Sequence, residues 1–182
     1  MTYPPPNIIH GLSKDNADGV LIEHPILPRD MRRYPDVSHD VRRANAKFIG
    51  AAGEYLVDSL LTRHGLTVWS APDLHCADRL IELYGRAVRI QIKTVTAPVE
   101  GICNFSMTCG NPRAGGQKRY SAEAFDIAAL VVLSHNVVKF VPNRGRSFRI
   151  NVSEFVDLAD DPIVSLEVSL GIMMKCASLP QC

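Results

Sequence analysis

No C-x-x-C pair occurs among the five cysteines, Cys76, Cys103, Cys109, Cys176 and Cys182. An odd count without paired spacing argues against a disulfide framework and a zinc ribbon, and leaves free thiols. His75-Cys76 is the sole His/Cys adjacency and reads as a loop residue beside a packed thiol. No apolar run reaches eighteen residues and no charged-apolar-small leader opens the chain, so neither a membrane span nor a secretory signal is read. A cytoplasmic protein is the expectation. G-x-G-x-x-G, P-loop, G-x-S-x-G and H-E-x-x-H patterns are all missing, which leaves a small-molecule α/β enzyme without support. The formal net charge of +1 carries no global nucleic-acid signature either.

What is present is an ordinary apolar fraction of 46% on 182 residues, enough for one domain with appendages and a sizeable core. Residues 1–37 are interrupted by Pro4-Pro5-Pro6, Pro25, Pro28 and Pro35 and read as an N-terminal arm. Residues 38–150 read as the core, and 151–182 as a C-terminal extension. From Ser38 or Asp40, either of which can cap, apolar positions Val41, Ala44, Phe48, Ala51, Ala52, Tyr55, Leu56 and Leu60 recur at helical steps until Gly65. Gly50-Ala51-Ala52-Gly53-Glu54 within this helix permits close backbone packing and puts Glu54 at the rim of the packed face. Leu66 to Trp69 reads as a short strand.

The centre of the chain is a hairpin, Arg79 to Leu83 and Arg86 to Ile92, turning at Tyr84-Gly85. Strand alternation puts Gln91 and Lys93 on one face and Ile90 and Ile92 on the other. Pairing of the strands brings Asp78, at the onset of the first, close to Gln91. An acid, an amide and an ammonium then converge, and oxygen donors of this kind are what Mg2+ takes.

Asp78 followed thirteen residues later by Gln91-Ile92-Lys93 resembles the D-x(n)-(E/Q)-x-K signature of the PD-(D/E)xK nuclease superfamily, the restriction-endonuclease-like fold. The Gln variant is similar to that of its group I intron homing endonucleases, and the spacing to archaeal Holliday-junction resolvases. The literal Pro72-Asp73 lies further from the strand, so Asp78 is taken as the ligand. G-x-x-G-E at Gly50 to Glu54 resembles the superfamily's acid-bearing helix. The resemblance extends to Tyr120 ahead of the Asp126-Ile127 strand, which runs to Leu133 as if buried on both faces, and to a following hairpin that ends in Phe140-Val141-Pro142.

This resemblance implies an α/β fold, a restriction-endonuclease-like core with a central mixed β-sheet of about five strands flanked by helices. It implies a metal-dependent endonuclease hydrolysing phosphodiester bonds in DNA. Glu54, Asp78, the Gln91 amide oxygen and the Ile92 carbonyl would hold Mg2+ or Mn2+, and Lys93 would orient or help deprotonate the attacking water. Gln91 departs from the commoner acid, leaving one negative charge fewer. The alternative is a nuclease-fold module that binds nucleic acid or a protein partner without cutting.

Charge is unevenly spread. Between Asn111 and Ile150, Arg113, Lys118, Arg119, Lys139, Arg144, Arg146 and Arg149 face only Glu123 and Asp126, while the tail is acidic. With Arg113 in the basic loop, the resemblance makes Lys118, Arg119 and Tyr120 candidates for phosphate contact, and Asp126 is read as anchoring a backbone turn. Further expectations are a strand from Ile102 to Thr108, a loop from Cys109 to Gln117, a strand from Ser147 to Val152 and a capped helix at Ser153 to Leu158. Ile163 to Leu170 is read as a last extended segment. Any assembly is expected to be a symmetric homodimer.

Overall fold

The structure, a computed structural model, describes residues 31, 33–72, 76–111, 116–121, 123–144 and 147–178. Most of the expected arm lies outside them, as do Asp73 and His75. In chain order the first elements are α1 (His39–Ala44), α2 (Ala46–Arg63), β1 (Val68–Ser70), β2 (Arg79–Leu83), β3 (Arg86–Val95) and β4 (Ile102–Phe105). Then come β5 (Thr108–Asn111), β6 (Gly116–Arg119), β7 (Ile127–Val132), β8 (Val137–Pro142), β9 (Phe148–Asn151), α3 (Phe155–Asp160) and α4 (Val164–Ser178).

Five strands form the central sheet in the order β1-β2-β3-β7-β8. Only β3 and β7 run parallel; the other neighbours are antiparallel, so the sheet is mixed. The β2–β3 hairpin closes on Tyr84 at φ 53° and Gly85 at φ 72°, the left-handed pair that a two-residue hairpin turn needs. β7 is buried at all six positions because both faces of the sheet are covered, matching its unbroken apolar run.

Alternation along the strands divides the core. Ile81, Val88, Ile90, Ile92, Ala129 and Val131 pack on one face with Val57, Leu60 and Leu61 of α2 and Leu166 of α4. Ala128, Leu130 and Val132 point the other way, toward Cys103 and Phe105 of β4, Ile150 of β9, and Phe155 and Leu158 of α3. β4 and β9 pair as a separate ribbon on that second face, and β5 and β6 form a hairpin. The α/β expectation therefore holds: a mixed five-stranded sheet flanked by helices.

Several local expectations are corrected. The helix expected from Ser38 is capped there, with the Ser38 hydroxyl accepting from Val41 N–H at 3.3 Å, but it breaks at Asn45. The Val41 carbonyl there accepts both the Asn45 N–H, at 3.0 Å, and the Asn45 side-chain amide, at 2.9 Å, and Asn45 itself departs from helical geometry at φ −104° and ψ 17°. The buried stripe of α2 is Ile49, Gly53, Val57, Leu60 and Leu61, offset from the expected one, and Phe48 and Tyr55 are 75% and 70% exposed. Of the segment from Ile163 to Leu170, Val164 onward is helix rather than extended chain. Leu166, Leu170 and Met173 recur at helical spacing against the core. The Ser165 hydroxyl accepts from Phe140 N–H at 3.0 Å and the Ser169 hydroxyl donates to the Phe140 carbonyl at 3.1 Å, so α4 covers the outer edge of β8. Ile102 to Thr108 is interrupted at Ser106-Met107, and the expected loop from Cys109 contributes to the β5–β6 hairpin.

Candidate active site

Asp78 sits immediately before β2, where the backbone ladder is about to stop. Its N–H donates to the Ile90 carbonyl at 2.9 Å, and its own carbonyl accepts from Ala71 N–H at 3.0 Å. One residue pair further, the ladder has no β2 carbonyl left to offer Ile92. The Asp78 carboxylate takes that place: Oδ2 accepts from Ile92 N–H at 2.6 Å, and from the amide nitrogen of Gln91. The Gln91 amide nitrogen also donates to the Ile92 carbonyl at 3.1 Å. One polarised NH2 group thus marks a point on which the Asp78 carboxylate and the Ile92 carbonyl both converge.

Glu54 comes from the opposite wall. It lies on α2 next to Gly53, which is buried so closely against Thr94 of β3 that any Cβ at position 53 would collide with the Thr94 side chain. That contact draws α2 onto the sheet beside Asp78. Glu54, Asp78, Gln91 and Ile92 all line one cleft of about 560 Å³. Burial pushes the Asp78 carboxyl above the ordinary carboxylate range, and the nearby Glu54 charge adds to the rise; the Ile92 hydrogen bond and the Lys93 and Arg79 charges oppose it without cancelling it.

Lys93 follows Gln91 on the same strand face. Its ammonium donates to the Thr108 carbonyl at 3.1 Å and the Tyr120 hydroxyl at 3.3 Å, and lies 4.9 Å from the centre of the Tyr120 ring. Tyr120 in turn meets Phe125 edge-on. Tyr120, expected at a phosphate, is thus half-buried as a support for Lys93. Arg119 is exposed at the end of β6, Arg113 lies outside the described residues, and Lys118 falls on β6.

With this geometry in place, the chain can be set beside known proteins. No protein-family model matches it. No curated protein matches it either. Among solved structures, it resembles that of a bacterial homing endonuclease, I-Ssp6803I, at 17% identity and a TM-score of 0.48, over 57% of this chain and 76% of that one.

Sequence reasoning passed over two groups that shape the site. Arg79 is a buried arginine whose Nε and Nη2 meet both oxygens of Asp58 at 2.7 and 2.9 Å, while Nη2 also reaches Glu54 at 3.1 Å. The four-residue step from Glu54 to Asp58, which stacks two carboxylates on one helix face, and an arginine inside an apolar strand were the available signals. The second group is His39, Arg42 and Arg43 of α1, which line the same cleft. Asp126, expected to anchor a backbone turn, instead holds the neighbouring strand: Oδ2 accepts from Arg89 N–H at 2.8 Å and the Arg89 guanidinium holds both oxygens.

A divalent cation suits this donor set in two respects. Asp78 is a half-buried carboxylate left short of compensation, and one of its oxygens shares the Gln91 amide with a main-chain carbonyl. Among the described residues no three His, Cys, Asp or Glu side chains gather as a metal cluster, so the set relies on the Gln91 amide and the Ile92 carbonyl beside the two acids.

Proposed function

We propose that this chain is a metal-dependent endonuclease of the PD-(D/E)xK kind, hydrolysing phosphodiester bonds in DNA. The observation that carries the reading is the position of Asp78: a half-buried carboxylate of raised pKa, beside Glu54 in one cleft, bonded through Ile92 N–H to the Q-x-K strand. Asp78, Glu54, the Ile92 carbonyl and the Gln91 amide oxygen are the groups that would hold Mg2+ or Mn2+, the Gln91 amide turning over to present its oxygen. The ion, when bound, supplies an acidified water and offsets charge developing on the scissile phosphate.

The chain's own residues have separable tasks. Gln91 and the Ile92 N–H fix the Asp78 carboxylate, so that it is oriented before any ligand arrives. Arg79 shares its charge between Asp58 and Glu54, partly offsetting the Glu54 charge that stands near Asp78. Lys93 holds its proton at Nζ, aimed by the Thr108 carbonyl and Tyr120, and orients the attacking water or a phosphate oxygen.

A non-cutting, nucleic-acid-binding module is the second reading. The ion pair that ties Glu54 to Arg79 and the uncharged Gln91 favour it. Incubation of the purified protein with supercoiled plasmid and branched DNA, in Mg2+, Mn2+ or EDTA, separates the two. The nuclease reading predicts cleavage that EDTA stops, that Asp78→Ala abolishes and that Lys93→Ala lowers by about a hundredfold or more. Binding of DNA with no cleavage under any of these conditions supports the second reading instead.

A further inference from the structure

We infer that α1 forms one wall of a phosphate-backbone groove, with Arg42 and Arg43 gripping the strand that lies over Asp78. The inference deepens the nuclease reading and rests on it for the nature of the ligand. Its ground is a separation of charge within one cleft: the floor carries Glu54 and Asp78, and the wall carries Arg42 and Arg43. Other arginines near the sheet are spoken for. Arg79 is bound to Asp58 and Glu54, and Arg89 is held by both oxygens of Asp126. Arg42 and Arg43, by contrast, have no acidic partner among the described residues. Arg42 is half-buried at the cleft and Arg43 exposed at its rim.

An acidic floor alone repels a phosphodiester, and a basic wall alone does not select a scissile bond. The two together fit a polyanion whose backbone is held by guanidinium groups, which match phosphate oxygens in a two-pronged geometry, while one phosphate reaches the floor. The break of the helix at Asn45 matters here. α1 ends with both arginines in its last turn and α2 starts after Asn45, so the wall and the helix that bears Glu54 are separate elements that both line the cleft.

The test measures binding of a short fluorescein-labelled DNA duplex by anisotropy, in EDTA so that nothing is cut, across a range of salt. An Arg42→Ala/Arg43→Ala double variant is compared with Arg63→Ala/Arg86→Ala, which removes the same charge from exposed positions outside the cleft. Loss of two phosphate contacts lowers the slope of log affinity against log salt by about 1.8 and weakens binding about thirtyfold near 0.15 M salt. The control double variant keeps the wild-type slope, and Arg42→Lys/Arg43→Lys recovers it. An unchanged slope in the alanine variant, with wild-type cleavage intact, overturns the wall and leaves the nuclease reading standing. A slope that depends on Arg42 and Arg43, in a protein that never cleaves, supports the wall and defeats the nuclease reading. Absence of duplex binding by the wild type at low salt overturns the wall.

Discussion

Asp78 gives up stability where it stands, as a residue kept for chemistry would. Its carboxyl is raised above the ordinary range by burial first and by Glu54 second, so the folded protein binds this proton more tightly than the unfolded chain does. The resulting stability is fully present below the unfolded carboxylate pKa, about 4, and is lost as pH rises through the higher folded value. Once the pH exceeds the folded value, the charged form of Asp78 therefore burdens the metal-free fold. Replacing it with Asn, which keeps an oxygen to accept from Ile92 N–H, is expected to raise Tm in EDTA at pH 7 to 8. The advantage shrinks as the pH is lowered toward 4. A Tm series for both proteins checks this, and an Asp78→Asn variant less stable than wild type at neutral pH would mean that the carboxylate is there for the fold. The choice of Asp78 rested on its abutting the strand, and the hydrogen bond to Ile92 N–H is the physical form of that proximity. Arg79 was harder to see, because its partner Asp58 lies twenty-one residues back on a helix whose packed face the sequence left ambiguous.

At the level of elements, strands were more legible than helix faces. The β2–β3 hairpin and β7 follow from alternation, from turn chemistry and from an unbroken apolar run. α2 misled because its middle is Gly-Ala-Ala-Gly: hydrophobicity marks Ala51, Ala52 and Tyr55, whereas the tightest contact with the sheet is made by Gly53, which has no side chain to register in a pattern. α4 misled through valines that favour strands locally, yet Val164 and Val168 are exposed and Leu166 and Leu170 carry the packing. Gly53 gives the element-scale prediction. Gly53→Ala gains up to about 1 kcal/mol of helix propensity. Collision with Thr94 costs about 1–3 kcal/mol. Net destabilisation in urea is therefore expected, together with weaker cleavage as Glu54 is pushed outward. Adding Thr94→Ala should restore the stability that Gly53→Ala alone loses; if it does not, the close approach of α2 to β3 is not what fixes the position of Glu54.

For the molecule as a whole, the site is an outcome of topology. Glu54 arrives on a helix packed against one face of β3, while Lys93 and Gln91 emerge on the other side of the same strand, near the Thr108 and Tyr120 supports. β7 fixes the far side of β3 through a parallel pairing, stapled at its start by Arg89 and Asp126, thirty-seven residues apart. Such long-range pairings leave no local trace, and neither does the arrangement that turns α1 toward the cleft. The most direct measurement is therefore the affinity of the whole protein for Mn2+, read from the EPR signal of the free ion, in the wild type and in Asp78→Asn. The account predicts one saturable site in the wild type that Asp78→Asn removes while remaining folded. Equal Mn2+ binding by the two proteins, or no binding by either, would contradict it.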